Sequence, residues 1–160
     1  MLNPTSPKKV SESIIEMRNL VMPNHTNPQN TIFGGVVMSW VDMAAAMCAE
    51  RHSNRPVVTV HIDDISFKAP IRIGDHVLIQ ASINYVGKSS MLVGVKVYAE
   101  NPLKGIMGLS RHTTTAYLTF VALNENGKPT QVRKVIPETE DEIRRYTEGK
   151  ARILEMKKNR

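Results

Sequence analysis

A single carboxylate, Asp42, stands in the middle of an otherwise apolar run from Ile32 to Ala49, IFGGVVMSWVDMAAAMCA, which the glycine pair Gly34–Gly35 opens. Burying an ionised carboxylate without partners costs several kcal/mol or raises its pKa, so an acid placed here is either hydrogen-bonded or used chemically. The glycines supply the complementary half of a reaction centre. Without Cβ atoms they let a ligand approach the backbone, and the unpaired N–H groups of a first helical turn point outward with partial positive charge, a ready oxyanion site.

The two parts do not meet on one helix. At about 1.5 Å of rise per residue, the eight residues from Gly34 to Asp42 span roughly 12 Å. If two copies of the helix lie side by side and antiparallel, Asp42 of one copy meets the glycine end of the other, so a twofold dimer becomes a requirement of the chemistry. The polar loop Asn24-His25-Thr26-Asn27-Pro28-Gln29-Asn30-Thr31 precedes the glycines, and its plain structural reading is a solvated loop in which Thr31 or Asn30 caps the helix.

The elements that must position these residues are legible from periodicity. Val57 to Phe67 is a β-branched run and reads as a central strand; His76 to Val86 alternates, with Val77, Ile79, Ala81, Ile83 and Tyr85 on one face and Gln80, Ser82 and Asn84 on the wetter one. The turn Gly87-Lys88-Ser89-Ser90 joins it to a second alternating run through Met91, Val93, Val95 and Val97, an antiparallel hairpin. A looser segment, Asn101 to Gly105, leads to a strand over His112 to Leu123, and Ser13 to Val21 adds an edge strand. Thr139 and Glu142 have capping-box spacing and start a second helix whose sparse apolar positions, Ile143, Tyr146, Ile153 and Leu154, put it on the surface or against a neighbouring subunit. One buried helix and several long antiparallel strands make an α+β domain whose sheet curls around the helix.

Composition narrows the function classes. The 160 residues suit one domain over 1–135 and a C-terminal helix or tail over 136–160. The apolar run is too short and too acidic at its centre for a membrane span, and no signal or transit sequence is expected. Cys48 is the one cysteine, set in the apolar helix as a core residue, and no internal disulfide is available, which fits a cytoplasmic location. Much of the surplus behind the net charge of +6 lies with Lys150, Arg152, Lys157, Lys158 and Arg160 at the C-terminal end, and aromatics are 5% of residues, so a nucleic-acid groove is not expected. His25, His52, His61, His76 and His112 are scattered without metal-ligand spacing, and no metal is expected.

The segment MPNHTNPQNTIFGGVVMSWVDMAAA (22–46), together with VVTVHIDDISFKAPIRIGD and the final strand, resembles the hotdog-fold acyl-CoA thioesterases of the bacterial YciA type and the related cytosolic acyl-CoA hydrolases. The resemblance covers roughly residues 15–132. It implies a hotdog fold, a curled antiparallel sheet of five or six strands wrapped around one long central helix, and an assembly of dimers, commonly a trimer of dimers. It also implies that Asp42 is catalytic and that Asn27, from the Thr-Asn pair before the glycines, takes part; the family often has glycine where this chain has Asn30. Coenzyme A is then part of substrate and product and no further cofactor is required. Its phosphates are expected along subunit interfaces near basic and hydroxyl side chains, for which Lys88, Ser89, Ser90 and Arg111 are the candidates, with Thr59 against the pantetheine arm.

A thioester suits this sparse equipment, because its carbonyl is more electrophilic than an amide's and a thiol with a pKa of about 8.5 leaves without strong acid assistance. The expected reaction is hydrolysis of acyl-CoA to free coenzyme A and a carboxylic acid. Gly35, with Gly34, binds the carbonyl oxygen, Asn27 orients the reactants, and Asp42 from the partner acts as general base or as nucleophile through a mixed anhydride. The rival readings are a hotdog dehydratase acting on hydroxyacyl thioesters, which would pair a histidine with the acid, and a non-catalytic acyl-CoA sensor using the same pocket.

Overall fold

The structure is a computed structural model and describes residues 5–159; the outermost residues of the two segments expected at 1–135 and 136–160 lie outside the described residues. In chain order the regular elements are β1 (Lys8–Lys9), β2 (Ile15–Leu20), α1 (Gly34–Ser53), β3 (Val57–Phe67), β4 (His76–Val86), β5 (Ser90–Glu100), β6 (Arg111–Ala122), β7 (Val135–Ile136) and α2 (Glu140–Lys158). Five strands form one antiparallel sheet in the order β2-β4-β5-β6-β3, and the short β1 and β7 pair in parallel beside it. The sheet curls around α1, the hotdog arrangement.

The inner face of the sheet is a continuous apolar layer. Ile79 and Ile83 of β4, Val93 and Val97 of β5, and Leu118 and Phe120 of β6 are all buried against α1. The helix meets them with small side chains, Ala44, Ala45, Cys48 and Ala49, each fully buried, which lets a helix sit close on a pleated surface. Burial pushes the Cys48 thiol up to about 12, so it stays protonated and unreactive. Truncating a side chain in this layer, Phe120→Ala for instance, falls in the class that costs about 3–5 kcal/mol.

The second helix begins where its capping box puts it. The Thr139 hydroxyl accepts from the Glu142 N–H at 3.1 Å and the Glu142 carboxylate accepts from the Thr139 N–H at 3.1 Å. It lies on the outer face of the sheet, where an added Cβ on Gly149 would touch Leu92 and Tyr85 at 3.1 Å. Ile153 is buried there, while Ile143 and Leu154 stay about half exposed.

Two strand expectations need correction. Val57 to Phe67 does not form a central strand: β3 is the edge of the sheet, paired only with β6, with its register broken on both sides of His61–Asp63 and Asp64 at a φ of 57°. Its Val58, Val60 and Ile62 remain 37–43% exposed, so the apolar character that suggested a central strand faces no neighbour within the protomer. Tyr85 leaves the Val77–Ile83 face because a bulge between Ile83 and Tyr85 resets the alternation. Val86 takes the core position, and Tyr85 packs edge-on to Tyr146 of α2 at 5.2 Å.

The C-terminal end of α1 is closed by the rest of the chain. Asn54 ends it in the left-handed region at φ 55°, its N–H bonded to the Glu50 carbonyl. His52 is fully buried; its Nε2 lies 2.9 Å from the Arg133 carbonyl, and its Nδ1 has no partner among the described residues. The neutral form with Nε2–H donating fits this site, whereas protonating Nδ1 would put a donor where no acceptor stands. Burial, reinforced by the charges of Lys8 and Arg133, accordingly holds the His52 pKa below the usual histidine value. The unfolded chain therefore binds the extra proton more readily. The His52 contribution is complete above about pH 6.5 and declines as pH falls below that value toward the folded-state pKa. Melting temperature measured from pH 7.5 down to 5.0 should fall more steeply for the wild type than for His52→Gln; parallel curves would remove His52 from the account.

Candidate active site

The loop before α1 is shaped by one side chain. Asn27 Oδ1 accepts from the Gln29 N–H at 3.0 Å and the Thr31 N–H at 3.2 Å, while its Nδ2 donates to Thr31 Oγ1 at 2.9 Å. This closes an Asx turn that carries Asn30 at φ 61°, a left-handed conformation that asparagine tolerates better than most residues and glycine most easily. Neither Thr31 nor Asn30 caps the helix. Phe33 is the N-cap residue, with no side-chain cap, and its own N–H is spent on the His25 carbonyl at 3.0 Å.

The first-turn amides are thereby left open. Gly34 and Gly35 are both exposed, and their N–H groups have no bond among the described residues. Neither glycine is demanded by the protomer's own backbone or packing: neither has a positive φ, a Cβ on Gly35 would meet nothing within 4 Å, and one on Gly34 would only touch Phe67 Cζ at 3.7 Å. Glycine lowers helix stability relative to alanine, so the protomer's own packing does not account for the pair.

Asp42 is half-buried and has one partner, the Thr59 hydroxyl, which donates to Oδ1 at 2.8 Å from β3. A helix face fully enclosed within the protomer was the premise for singling it out, and that premise is corrected. Gly35, Met38, Ser39, Met43 and Met47 share its side of α1 and are exposed. Gly35 and Asp42 are seven residues apart, two turns, which aligns them on one face and separates them by about 10.5 Å along the axis.

The remaining sequence-predicted residues divide between the two ends of the sheet. Lys88, Ser89 and Ser90 lie at the β4–β5 turn, where the Lys88 and Ser89 carbonyls accept from the Val132 and Ala122 N–H groups at 2.9 and 3.0 Å. The Lys88 side chain is exposed. Ser90 pairs with Val121 and Thr59 with Phe120, so this turn belongs to the Asp42–Thr59 end. Arg111 pairs with Ala99, nine residues further along β5 and so about 30 Å from Ser90. Gly34 is at the Arg111 end, beside Phe67, which pairs with Thr114. Within one protomer, then, the structure joins Asp42 to Thr59 and leaves Gly34, Gly35 and Arg111 at the other end. Arg111 is also engaged, donating to Asp75 at 2.6 Å and to the Pro70 and Ala99 carbonyls. Asp75 is only 2% exposed and needs that cation.

The Asp42–Thr59 contact was not foreseen, since nothing in a 17-residue separation between a helix and a strand announces it. The histidines do not supply a partner for Asp42. His25 Nδ1 accepts from the Met22 N–H at 3.0 Å and its ring packs edge-on to Trp40, and His52 is held at the far end of α1. Two concavities of about 370 and 850 Å³ flank α2 on the outer face of the sheet, and neither is lined by Asp42, Asn27, Gly34 or Gly35.

Comparison with known proteins places the chain. The thioesterase superfamily model matches residues 29–106. The uncharacterized acyl-CoA thioester hydrolase YkhA of Bacillus subtilis is 42% identical over 91% of this chain and 83% of its own length. An apo-hexameric acyl-CoA thioesterase superposes with a TM-score of 0.90 at 38% identity, covering 96% of this chain and 97% of that one. The Staphylococcus aureus acyl-CoA hydrolase, solved with butyryl coenzyme A, coenzyme A and coenzyme A disulfide, gives a TM-score of 0.82 at 35% identity with 95% of each chain covered. This chain belongs to the acyl-CoA thioester hydrolases of the thioesterase superfamily.

Proposed function

We propose that this protein hydrolyses acyl-CoA thioesters to free coenzyme A and a carboxylic acid, at sites shared between two copies of the chain. One observation carries the reading: Asp42, oriented by the Thr59 hydroxyl, and the uncapped amides of Gly34 and Gly35 lie on one exposed helix face, too far apart to serve the same carbonyl. The midpoint between Gly35 and Asp42 falls at Met38 and Ser39. A twofold axis there, with the two α1 helices antiparallel, brings Asp42 of each copy to the glycine end of the other. The same operation covers Met43 and Met47 and sets the exposed Val58, Val60 and Ile62 of β3 beside the partner.

In such a site the Gly35 N–H, with that of Gly34, donates to the thioester oxygen as it gains charge. Asp42 takes a proton from the attacking water, or attacks the carbonyl carbon itself to give an anhydride that water then opens. Either way the C–S bond breaks and the electron pair leaves on the coenzyme A sulfur, which is protonated from solvent. Asn27 acts through the loop that presents the amides. The phosphates of coenzyme A meet Lys88, Ser89 and Ser90 from one copy and the Arg111 end of the other. The S. aureus hydrolase has been solved with an aspartate, a threonine and an asparagine each replaced by alanine, the residue types that Asp42, Thr59 and Asn27 supply in this reading. No helix among the described residues is long and apolar enough to cross a membrane; action on a water-soluble thioester in the cytoplasm, as a trimer of dimers, is the setting that fits.

Thiol release from acyl-CoAs of two to sixteen carbons is the direct assay. Asp42→Ala should lower kcat about 100-fold or more with an unchanged fold. Thr59→Val, which frees the carboxylate without moving charge, should lower it about tenfold, the scale of one hydrogen bond. Near-normal turnover in Asp42→Ala would end the assignment. Single-turnover reaction in oxygen-18 water separates the two routes, since only the anhydride leaves label in Asp42.

Sharing of the site has its own test. Gly35→Pro removes one amide donor where the first turn makes no i−4 bond, and Asp42→Ala removes the acid; each alone is expected to be inactive. Unfolded and refolded together in equal amounts, half of the dimers are mixed and each mixed dimer keeps one intact site. About a quarter of the wild-type activity should therefore return, and no recovery would mean that each chain holds a whole site.

A further inference from the structure

On the face of the sheet turned away from α1, the helix α2 roofs a cavity of about 370 Å³. Its floor is polar. Gln80, Ser82 and Asn84 of β4 line it in turn, with Ser82 opposite Gly94 and Gln80 opposite Lys96 of β5. Asn84 is only 5% exposed, yet its side-chain amide has no hydrogen bond among the described residues, and its Oδ1 is left buried without a partner. Gly94 makes room for that amide, because a Cβ there would stand 2.6 Å from Asn84 Nδ2. Gly149 of α2 closes over it, the position of its own Cβ lying 3.4 Å from Asn84 Cβ. A buried amide with neither end paired is a costly placement that a polar group entering the cavity would relieve.

The charges around the cavity are unevenly matched. Every carboxylate lining it has a partner: Glu16 accepts from Gln80 Nε2 at 3.0 Å, Glu142 caps α2, and Asp141 and Glu148 pair with Arg144 at 3.4 and 3.6 Å. Two cations do not. Lys96 and Arg145 have no hydrogen bond or ion pair among the described residues. Lys96 is two residues beyond Gly94 on the same face of β5, and Arg145 is one turn before Gly149 on the same side of α2. They flank the Asn84 amide, one from the floor and one from the roof. We propose that this cavity is a second binding site, which takes a small hydroxy acid: carboxylate oxygens meet Lys96 and Arg145, and a hydroxyl, able both to donate and to accept, pairs with the Asn84 amide. The volume is at the lower end of the range for small-molecule pockets, so a ligand of a few carbons fits and a whole acyl-CoA does not. Asp42, Asn27 and the glycine pair do not line the cavity, so this site stands or falls independently of the hydrolase reading.

Three four-carbon dicarboxylates test it by isothermal titration calorimetry on the full chain. L-malate carries a hydroxyl, L-aspartate an ammonium group and succinate neither. L-malate should bind with a Kd below about 1 mM, and succinate and L-aspartate about tenfold more weakly, the scale of one hydrogen bond. Lys96 and Arg145 are partly exposed, so Lys96→Ala with Arg145→Ala should keep the wild-type circular dichroism while weakening L-malate about tenfold or more. In Asn84→Ala, L-malate and succinate should bind alike; if that variant does not fold, the wild-type comparison of the two acids decides the same point. No binding of L-malate, equal affinity for succinate in the wild type, or an affinity unchanged in the double variant each overturns the proposal. L-aspartate binding more tightly than L-malate overturns the hydroxyl assignment and identifies an amino acid as the occupant. Inorganic phosphate displacing L-malate at equal concentration makes the cavity a plain anion contact and overturns the proposal as well.

Discussion

Everything in this protomer turns on a helix that is apolar around most of its circumference and covered on one side only. A helix with that composition belongs inside a core. The sheet takes Val37, Trp40, Val41, Ala44, Ala45 and Cys48, whereas Met38, Met43 and Met47 are left 40–50% exposed. At roughly 1.5–3 kcal/mol for a large apolar side chain moved fully from water to an interior, covering these three half-exposed methionines is worth about 2–4 kcal/mol. The edge strand β3 repeats the pattern with Val58, Val60 and Ile62. Helix face and strand edge together leave an apolar surface uncovered within the protomer, and the twofold proposed above would cover it while bringing the reacting groups together.

The two ends of α1 are treated in opposite ways, and that contrast has an electrostatic meaning. Carbonyls at the C-terminal end carry partial negative charge. Lys8 donates to the Arg51 carbonyl at 2.5 Å and to Asn54 Oδ1, and Arg133 donates to Asn54 Oδ1 and to the Ser6 carbonyl. Burial of Lys8 and its nearness to Arg133 lower its pKa, a cost the helix end offsets. At the N-terminal end the fold supplies no such partner. Phe33 cannot cap, Asn27 and Thr31 are bonded to each other, and the glycine amides face outward. The contrast leaves the N-terminal amides of α1 as the open donors of the helix among the described residues, which is what the proposed oxyanion role requires.

Much of this was legible from residue patterns because it depends on local chemistry. The capping box at Thr139 and Glu142, the hairpin around Gly87 to Ser90 and the core role of Cys48 each need only a few neighbours along the chain. Failures came where the outcome depends on what lies across space. The β-branched run of β3 has the composition of a central strand, and only the sheet order reveals it as an edge. One bulge after Ile83 moves Tyr85 to the opposite face without any signal in the alternation itself. Arg111 has the charge for the phosphate contact expected of it, yet a buried Asp75 already engages it. Asp42 drew attention as an acid enclosed in a core, and in the protomer it is an acid on an open face held by a threonine that no spacing rule connects to it.

The polarity of the sheet relates these particulars to one another. Asp42, Thr59 and the Lys88–Ser90 turn lie toward one end and Gly34, Gly35 and Arg111 toward the other, with Ser90 and Arg111 about 30 Å apart along β5 and Gly35 and Asp42 about 10.5 Å apart along α1. Under an antiparallel twofold, opposite ends become neighbours, so every residue pair that one protomer separates is a pair that the dimer can join. Thioester hydrolysis makes few demands beyond that. A positioned acid, two amide donors and a leaving group of modest pKa suffice, and a fold contributing half of each site needs no nucleophile–histidine relay. Under the proposed twofold, the economy of the catalytic equipment and the incompleteness of the protomer become one property, because a single symmetry operation would supply both the apolar cover and the other half of the chemistry.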